Sequence, residues 1–152
     1  GKTIDAVLAE NDSTALGVAA ALSGKSYSPY PPVSGQDGDP ANLNNLALGK
    51  QYVDVWKNSN ELGKAAGQAA LALCKDKDNG KVTVNVDSSV APAAGNTATD
   101  FKTPANNTLK SIILKPTPLL QADLGKVLSA GWYATKDQIC KGADTAVVTA
   151  CK

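Results

Sequence analysis

Ile4-Asp5-Ala6-Val7-Leu8-Ala9-Glu10-Asn11-Asp12-Ser13-Thr14-Ala15-Leu16-Gly17 passes from an apolar run through a polar cluster into small and aliphatic residues. The apolar run, Ile4 to Ala9, suits a strand buried on both faces. The cluster Glu10 to Ser13 offers side chains that cap a helix. Thr14 to Leu22 reads as that helix, with Gly24 as its stop signal. The unit of strand, polar loop and helix then recurs. Pro32-Val33-Ser34-Gly35 is a short strand and Gln36-Asp37-Gly38 a tight loop. Asp39-Pro40 opens a helix, with Asp39 as cap and proline at the first helical position, running through Leu43 and Leu46 to Gly49. Gln51 to Trp56 alternates as a strand should, and Asn58 with Glu61 resembles a capping box. Leu62, Ala66, Ala69, Ala70 and Leu73 share one face of the next helix. Such alternation predicts an α/β fold with a largely parallel sheet, whose ligands bind at the carboxyl ends of the strands.

Beyond Lys75 the pattern is less regular. Val82 to Val86 alternates as a strand, and Ser88 to Thr108, rich in Ala, Pro, Asn and Thr, reads as a surface excursion. Leu109 to Lys115 is predicted as a strand stopped by Pro116 and Pro118. Asp123 caps a helix from Leu124 to Ala130 that ends at Gly131.

Composition narrows the chemistry. The chain has 152 residues, 43% hydrophobic and 19% charged, with a net charge of +1. No basic excess is present to displace counterions from a nucleic acid, so none is expected as a partner. There is no His, and every basic residue is Lys. Ser–His and Cys–His catalysis and most zinc sites lose their central group, and bidentate arginine clamps are unavailable to phosphates. Asp76-Lys77-Asp78-Asn79-Gly80 lacks the spacing and the closing acid of a calcium loop and reads as a turn. No catalytic residue, metal ligand or cofactor is expected. Cys140 and Cys151 flank a short turn-prone segment and are expected to form a disulfide, two free thiols being the alternative; Cys74 is expected to be a buried, inert thiol.

Asn11, Asp37 and Lys57 each stand after a predicted strand and before a predicted helix, and so are expected at one edge of the sheet. An amide, a carboxylate and an ammonium offer matched donors and acceptors to a polyhydroxylated molecule. The competing reading is that each only caps its helix. Gln36, beside Asp37, and Trp56, beside Lys57, are candidates behind these three; strand alternation points Trp56 away from Lys57.

The stretch Ile4 to Gly17, with Val33-Ser34-Gly35-Gln36-Asp37 and Val53-Asp54-Val55-Trp56-Lys57, resembles the second half of periplasmic sugar-binding proteins of the ribose/xylose type, nearest to the D-xylose branch. Leu109 to Trp132, including Leu114-Lys115-Pro116-Thr117-Pro118, looks like that family's closing crossover and final helix. The resemblance implies a type I periplasmic-binding-protein clamshell, a three-layer sandwich on a parallel sheet, present here as a C-terminal fragment. Residues 1–56 would belong to the C-terminal lobe and its sugar loops. Residues 57–108 would form a hinge crossing with a helix, strand and surface loop of the other lobe, and 109–152 the return crossover, final helix and Cys-flanked tail. It further implies that Asn11, Asp37 and Lys57 bind the hydroxyls of a pentose such as xylose. The implied partners are the missing N-terminal half and the membrane permease of an ABC transporter, with the chain exported to the periplasm. A sugar-sensing half of a transcription repressor, which shares the clamshell, is the alternative.

Overall fold

The computed structural model describes residues 3–77, 81–84 and 96–152. Along the chain lie α1 (Asp12–Gly24), β1 (Ser34–Asp37), α2 (Pro40–Ala47), β2 (Val53–Trp56), α3 (Ser59–Lys75), β3 (Thr83–Val84) and β4 (Asn96–Thr97). After them come β5 (Thr99–Lys102), β6 (Thr108–Ser111), β7 (Thr117–Leu119), α4 (Leu124–Ser129) and α5 (Lys136–Cys140). These elements form two compact units, residues 1–57 with 116–152, and residues 58–115.

In the first unit β1 and β2 pair in parallel, Ser34 opposite Val53 and Asp37 opposite Trp56. β7 joins the other side of β2 in antiparallel sense, with Pro118 opposite Val55. Pro118, expected to stop a strand, therefore lies inside one. An edge strand tolerates a residue without an N–H, and β7 is an edge. The run Ile4 to Ala9 flanks β1 through a single parallel bridge, Val7 to Val33. It is not buried on both faces: Ala9 is packed, but Leu8 is 89% exposed. Leu43 and Leu46 of α2, Val33, Trp56 and Leu119 of the sheet, Leu124 and Val127 of α4 and Ile139 of α5 make the core, all fully buried. Each such side chain contributes roughly 1.5–3 kcal/mol. Helix α1 adds Ala15, Ala19 and Leu22.

In the second unit Asn58 caps α3, its Oδ1 accepting the Asn60 and Glu61 N–H groups at 3.1 and 3.3 Å. Glu61 does not return the bond, because its Oε1 takes the Lys64 ammonium at 2.8 Å. The expected box is thus a simple cap. The buried face of α3 is also rotated from the predicted one. Ala65 is buried, with Ala69 and Ala72 packed beside it against Val82 and Val84, whereas Leu62 and Leu73 are 45% and 41% exposed. Small alanines let the helix approach the strand closely, and the leucines are left to line an open apolar depression of about 420 Å³ with Ile112 and Leu114.

The segment expected as a surface excursion holds β4 and a hairpin of β5 with β6, Thr99 opposite Ser111 and Lys102 opposite Thr108. Of the strand predicted over 109–115, only Leu109 to Ser111 is in a strand, as part of β6, and the first unit resumes at Pro116. Residues 85–95 and 78–80, which include part of the predicted strand at 82–86, the start of the excursion and most of the acidic turn, lie outside the described residues.

Cys140 and Cys151 are bridged. Cys74 is free but exposed, not buried. The bridge matters because α5 has five residues, too few to persist alone. Asn44 of α2 adds two bonds, its Nδ2 donating to the carbonyls of Ile139 at 2.8 Å and Lys141 at 2.9 Å. Alkylation without reductant is expected to label Cys74 alone, read by mass spectrometry. Reduction is expected to lower stability in urea by about 3 kcal/mol, the value of closing a loop of this size.

Candidate functional site

Because β1 and β2 are parallel and in register, their carboxyl ends reach one edge of the sheet. The Val7–Val33 bridge brings the end of the first segment to the same edge. Asp37 closes β1, Lys57 comes directly after β2, and their Oδ1 and Nζ atoms are 2.8 Å apart. Their side chains remain 39% and 44% exposed. Such a pair adds little to stability, but it presents an acceptor and a donor side by side to solvent.

Asn11 caps α1 by accepting the Thr14 N–H on its Oδ1 at 2.9 Å, which leaves its Nδ2 as the group to donate outward. Gln36 ties the first two loops together, its Nε2 donating to the Glu10 carbonyl at 3.3 Å. Capping is therefore a role of Asn11 alone among the three, since the positions before α2 and α3 are Asp39 and Asn58. Trp56 is 1% exposed and stands edge-on to Trp132 with centroids 5.3 Å apart. Its ring supports the loop and has no open face for stacking on a sugar.

Asp37 has a φ of 121°, which L-residues rarely adopt and which costs on the order of 1–3 kcal/mol. The next two residues, Gly38 and Asp39, anchor it in that conformation. Gly38, at φ 88°, lies against the Trp56 ring, where a Cβ would collide with Cδ1. The Asp12 carboxylate accepts the Gly38 N–H at 3.0 Å and the Asp39 N–H at 2.7 Å on one oxygen, Oδ2. Trp132 Nε1 donates to the Gly38 carbonyl at 2.7 Å. Asp39, expected as the side-chain cap of α2, makes no cap bond with its carboxylate; Oδ1 instead accepts the Tyr133 hydroxyl at 2.9 Å.

Beneath this loop Asp12 and Asp54 are fully buried and face each other. Gln51 donates to Asp54 Oδ2 at 3.3 Å and accepts from Asn42 Nδ2 at 3.0 Å. Burial, with the negative charge of Asp12 second, pushes the Asp54 carboxyl up to about 8. Burial also raises Asp12, against the opposing pull of the Asp39 N–H and the Asp54 carboxyl. Burial thus favours a proton held by the pair, and the two loop N–H groups on its Oδ2 make Asp12 the acceptor. Tyr133 is pushed up to about 12 by burial and by its bond to Asp39. Asp12, Asp54, Trp132 and Tyr133 were not legible as site residues in the sequence. The available signals were the acid directly after Asn11 and the aromatic pair directly after the Gly131 helix stop.

A family model described as periplasmic binding protein domain matches residues 1–78, the part that carries Asn11, Asp37 and Lys57. The D-xylose-binding periplasmic protein of Haemophilus influenzae is 29% identical over 139 residues, 90% of this chain and 36% of its own. That of Escherichia coli is 41% identical over 70 residues, 46% of this chain and 21% of its own. An ABC transporter solute-binding protein from Clostridium phytofermentans, solved with bound β-D-glucose, aligns with a TM-score of 0.71 at 31% identity, over 91% of this chain and 38% of that one. A carbohydrate transporter solute-binding protein from Chloroflexus aurantiacus, in complex with D-glucose, shares the fold at a TM-score of 0.66 and 22% identity. The fold is thus that of the type I periplasmic binding proteins, and this chain spans 36% and 38% of the first relative and first structure.

The buried acids dictate how stability depends on pH. Asp54 binds its proton up to about 8 in the fold but only to 3.8 as an ordinary carboxyl. Between those values the folded state holds more protons than the unfolded one, so stability falls as pH rises and levels off above about 8. Urea midpoints measured across this window are expected to decline, and Asp54→Asn is expected to remove most of the slope.

Proposed function

The chain belongs to the periplasmic binding protein domain family, and on that footing we propose that it is part of a sugar-binding component of a bacterial ABC transporter. The observation that carries the reading is the exposed Asp37–Lys57 pair at the carboxyl edge of the parallel strands, with the loop that carries Asn11 tied to β1 through Gln36. An ionised carboxylate only accepts hydrogen bonds and can take two hydroxyls, while the ammonium and the amide donate to neighbouring oxygens. Vicinal hydroxyls of a sugar ring fit that set. Xylose is the first candidate, because the curated relatives bind D-xylose by name. Glucose, which differs from the xylose ring only in a hydroxymethyl group, is the second, being held by the solved neighbours.

In the whole protein the sugar is captured between two lobes, passed to a membrane permease, and released unchanged, so the function is not enzymatic. Exposed Leu62, Leu73 and Ile113 in the second unit fit a lobe completed by further chain. The Cys140–Cys151 bridge favours an exported, periplasmic protein over a cytosolic repressor.

Calorimetric titration of the full-length protein with xylose, glucose, ribose and arabinose tests this. Asp37→Ala is expected to weaken binding of the preferred sugar by about ten- to a hundred-fold, the worth of one or two charged hydrogen bonds. Asp100→Ala, which removes an exposed ion pair with Lys110 in the second unit, is expected to leave it unchanged. Equal and small losses from both would refute the site, and no binding of any of the four sugars would refute the function.

A further inference from the structure

The loop after Asp37 is held from two sides. Its Gly38 carbonyl is fixed by Trp132 and its Gly38 and Asp39 N–H groups by a single oxygen of Asp12. Without that grip nothing in the loop favours the φ of 121° at Asp37, and the side chain would relax away from Lys57. The grip depends on Asp12 being an anion in a place where anions are costly.

Among the described residues, no cation is one of the groups that shift Asp12 or Asp54. The charged or titratable groups around Asp12 and Asp54 are Asp37 at the end of β1, Asp39 at the start of α2, with Tyr133 bonded to it, and Lys57, which is already paired with Asp37. The remaining polar contacts are the amides of Gln51 and Asn42. Oδ1 of Asp12 and Oδ1 of Asp54 are both buried, and among the described residues neither meets an N–H or O–H donor. The two side chains are hydrogen-bond partners, and a proton carried between them relieves that deficit. Gly35 makes room for this, since a Cβ there would stand 2.5 Å from Asp12 Oδ1 and overlap the Gln51 amide.

We propose that Asp12 is the positioning residue of the sugar site and that the proton it shares with Asp54 sets its grip on the loop. With that proton in place, Asp54 donates to Asp12, and Asp12 holds the 38–39 peptides. When the proton leaves to solvent, two adjacent buried carboxylates repel, the loop loosens and Asp37 loses its fixed geometry. This makes sugar affinity fall in alkaline solution without any change in the groups that touch the sugar. The inference rests on the sugar-site reading, but its central event takes place in the sugar-free protein and can be observed there.

The test monitors the full-length protein by NMR from pH about 6 to about 10, together with sugar titrations over the same range. The carboxyl ¹³C shifts of Asp12 and Asp54 are expected to titrate together near the raised value, and the indole Nε1–H signal of Trp132 to move with them. Sugar affinity is expected to fall about ten-fold across that transition, the loss of one charged hydrogen bond. Asp54→Asn, whose amide N–H replaces the carboxyl O–H, is expected to flatten both the Trp132 signal and the affinity curve. Asp12→Asn is expected to weaken binding at neutral pH with Asp37 and Lys57 intact. A Trp132 signal that stays flat in the unaltered protein, or one that still titrates in Asp54→Asn, would overturn the proposal even if Asp12→Asn fails to fold. Sugar binding that is absent while the carboxyls and Trp132 behave as expected would overturn the functional reading instead.

Discussion

A buried carboxylate that no cation among the described residues shifts must be met by hydrogen bonds or by a proton, and Asp12 is met by both. It accepts two backbone N–H groups from the loop after β1, and burial favours a proton held between it and Asp54. The rest of the first unit is organised around that arrangement. Helix α1 carries Asp12 to the loop, the in-register pairing of β1 with β2 sets Asp54 beneath it, and Trp56 and Trp132 close the loop from the remaining sides. The exposed pair Asp37–Lys57 is the visible end of this buried polar core.

Much of this was legible in the residues themselves. Short apolar runs ending in polar clusters identify the carboxyl edges of parallel strands, and that geometry brings Asp37 and Lys57 together. Helix caps were also readable at Asn11 and Asn58, because a short polar side chain before a helix has one obvious use. Asp39 looked like the same device but serves Tyr133, a partner from far along the chain that local reasoning cannot see. The same limit explains Asp12: beside Asn11 it reads as one more polar loop residue, and only the fold turns it inward. The face of α3 was misread because a leucine stripe outranks an alanine stripe in hydropathy, whereas close packing against β3 favours the smaller residues. Pro118 misled for a related reason, since its tolerance depends on being at an edge, which is a property of the sheet and not of the segment.

The two units present different surfaces. The first presents hydrogen-bonding groups at a sheet edge, with strain at Asp37 held in place by the buried acids. The second presents exposed apolar side chains around α3 and the β5–β6 hairpin, and the chain spans 36% of the first relative and 38% of the first structure it matches. In the proposed sugar site one carboxylate, one ammonium and one amide would orient a ring of hydroxyls. Tight enclosure would have to come from contacts on the opposing lobe of the whole protein.

The most direct test of the central claim is a crystal structure of the full-length protein grown with D-xylose. Both carboxylate oxygens of Asp37 are expected within hydrogen-bonding distance of adjacent sugar hydroxyls, with Lys57 Nζ and Asn11 Nδ2 on neighbouring oxygens and the 38–39 peptides still bound to Asp12. A sugar bound elsewhere, with the Asp37–Lys57 pair untouched, would contradict the account.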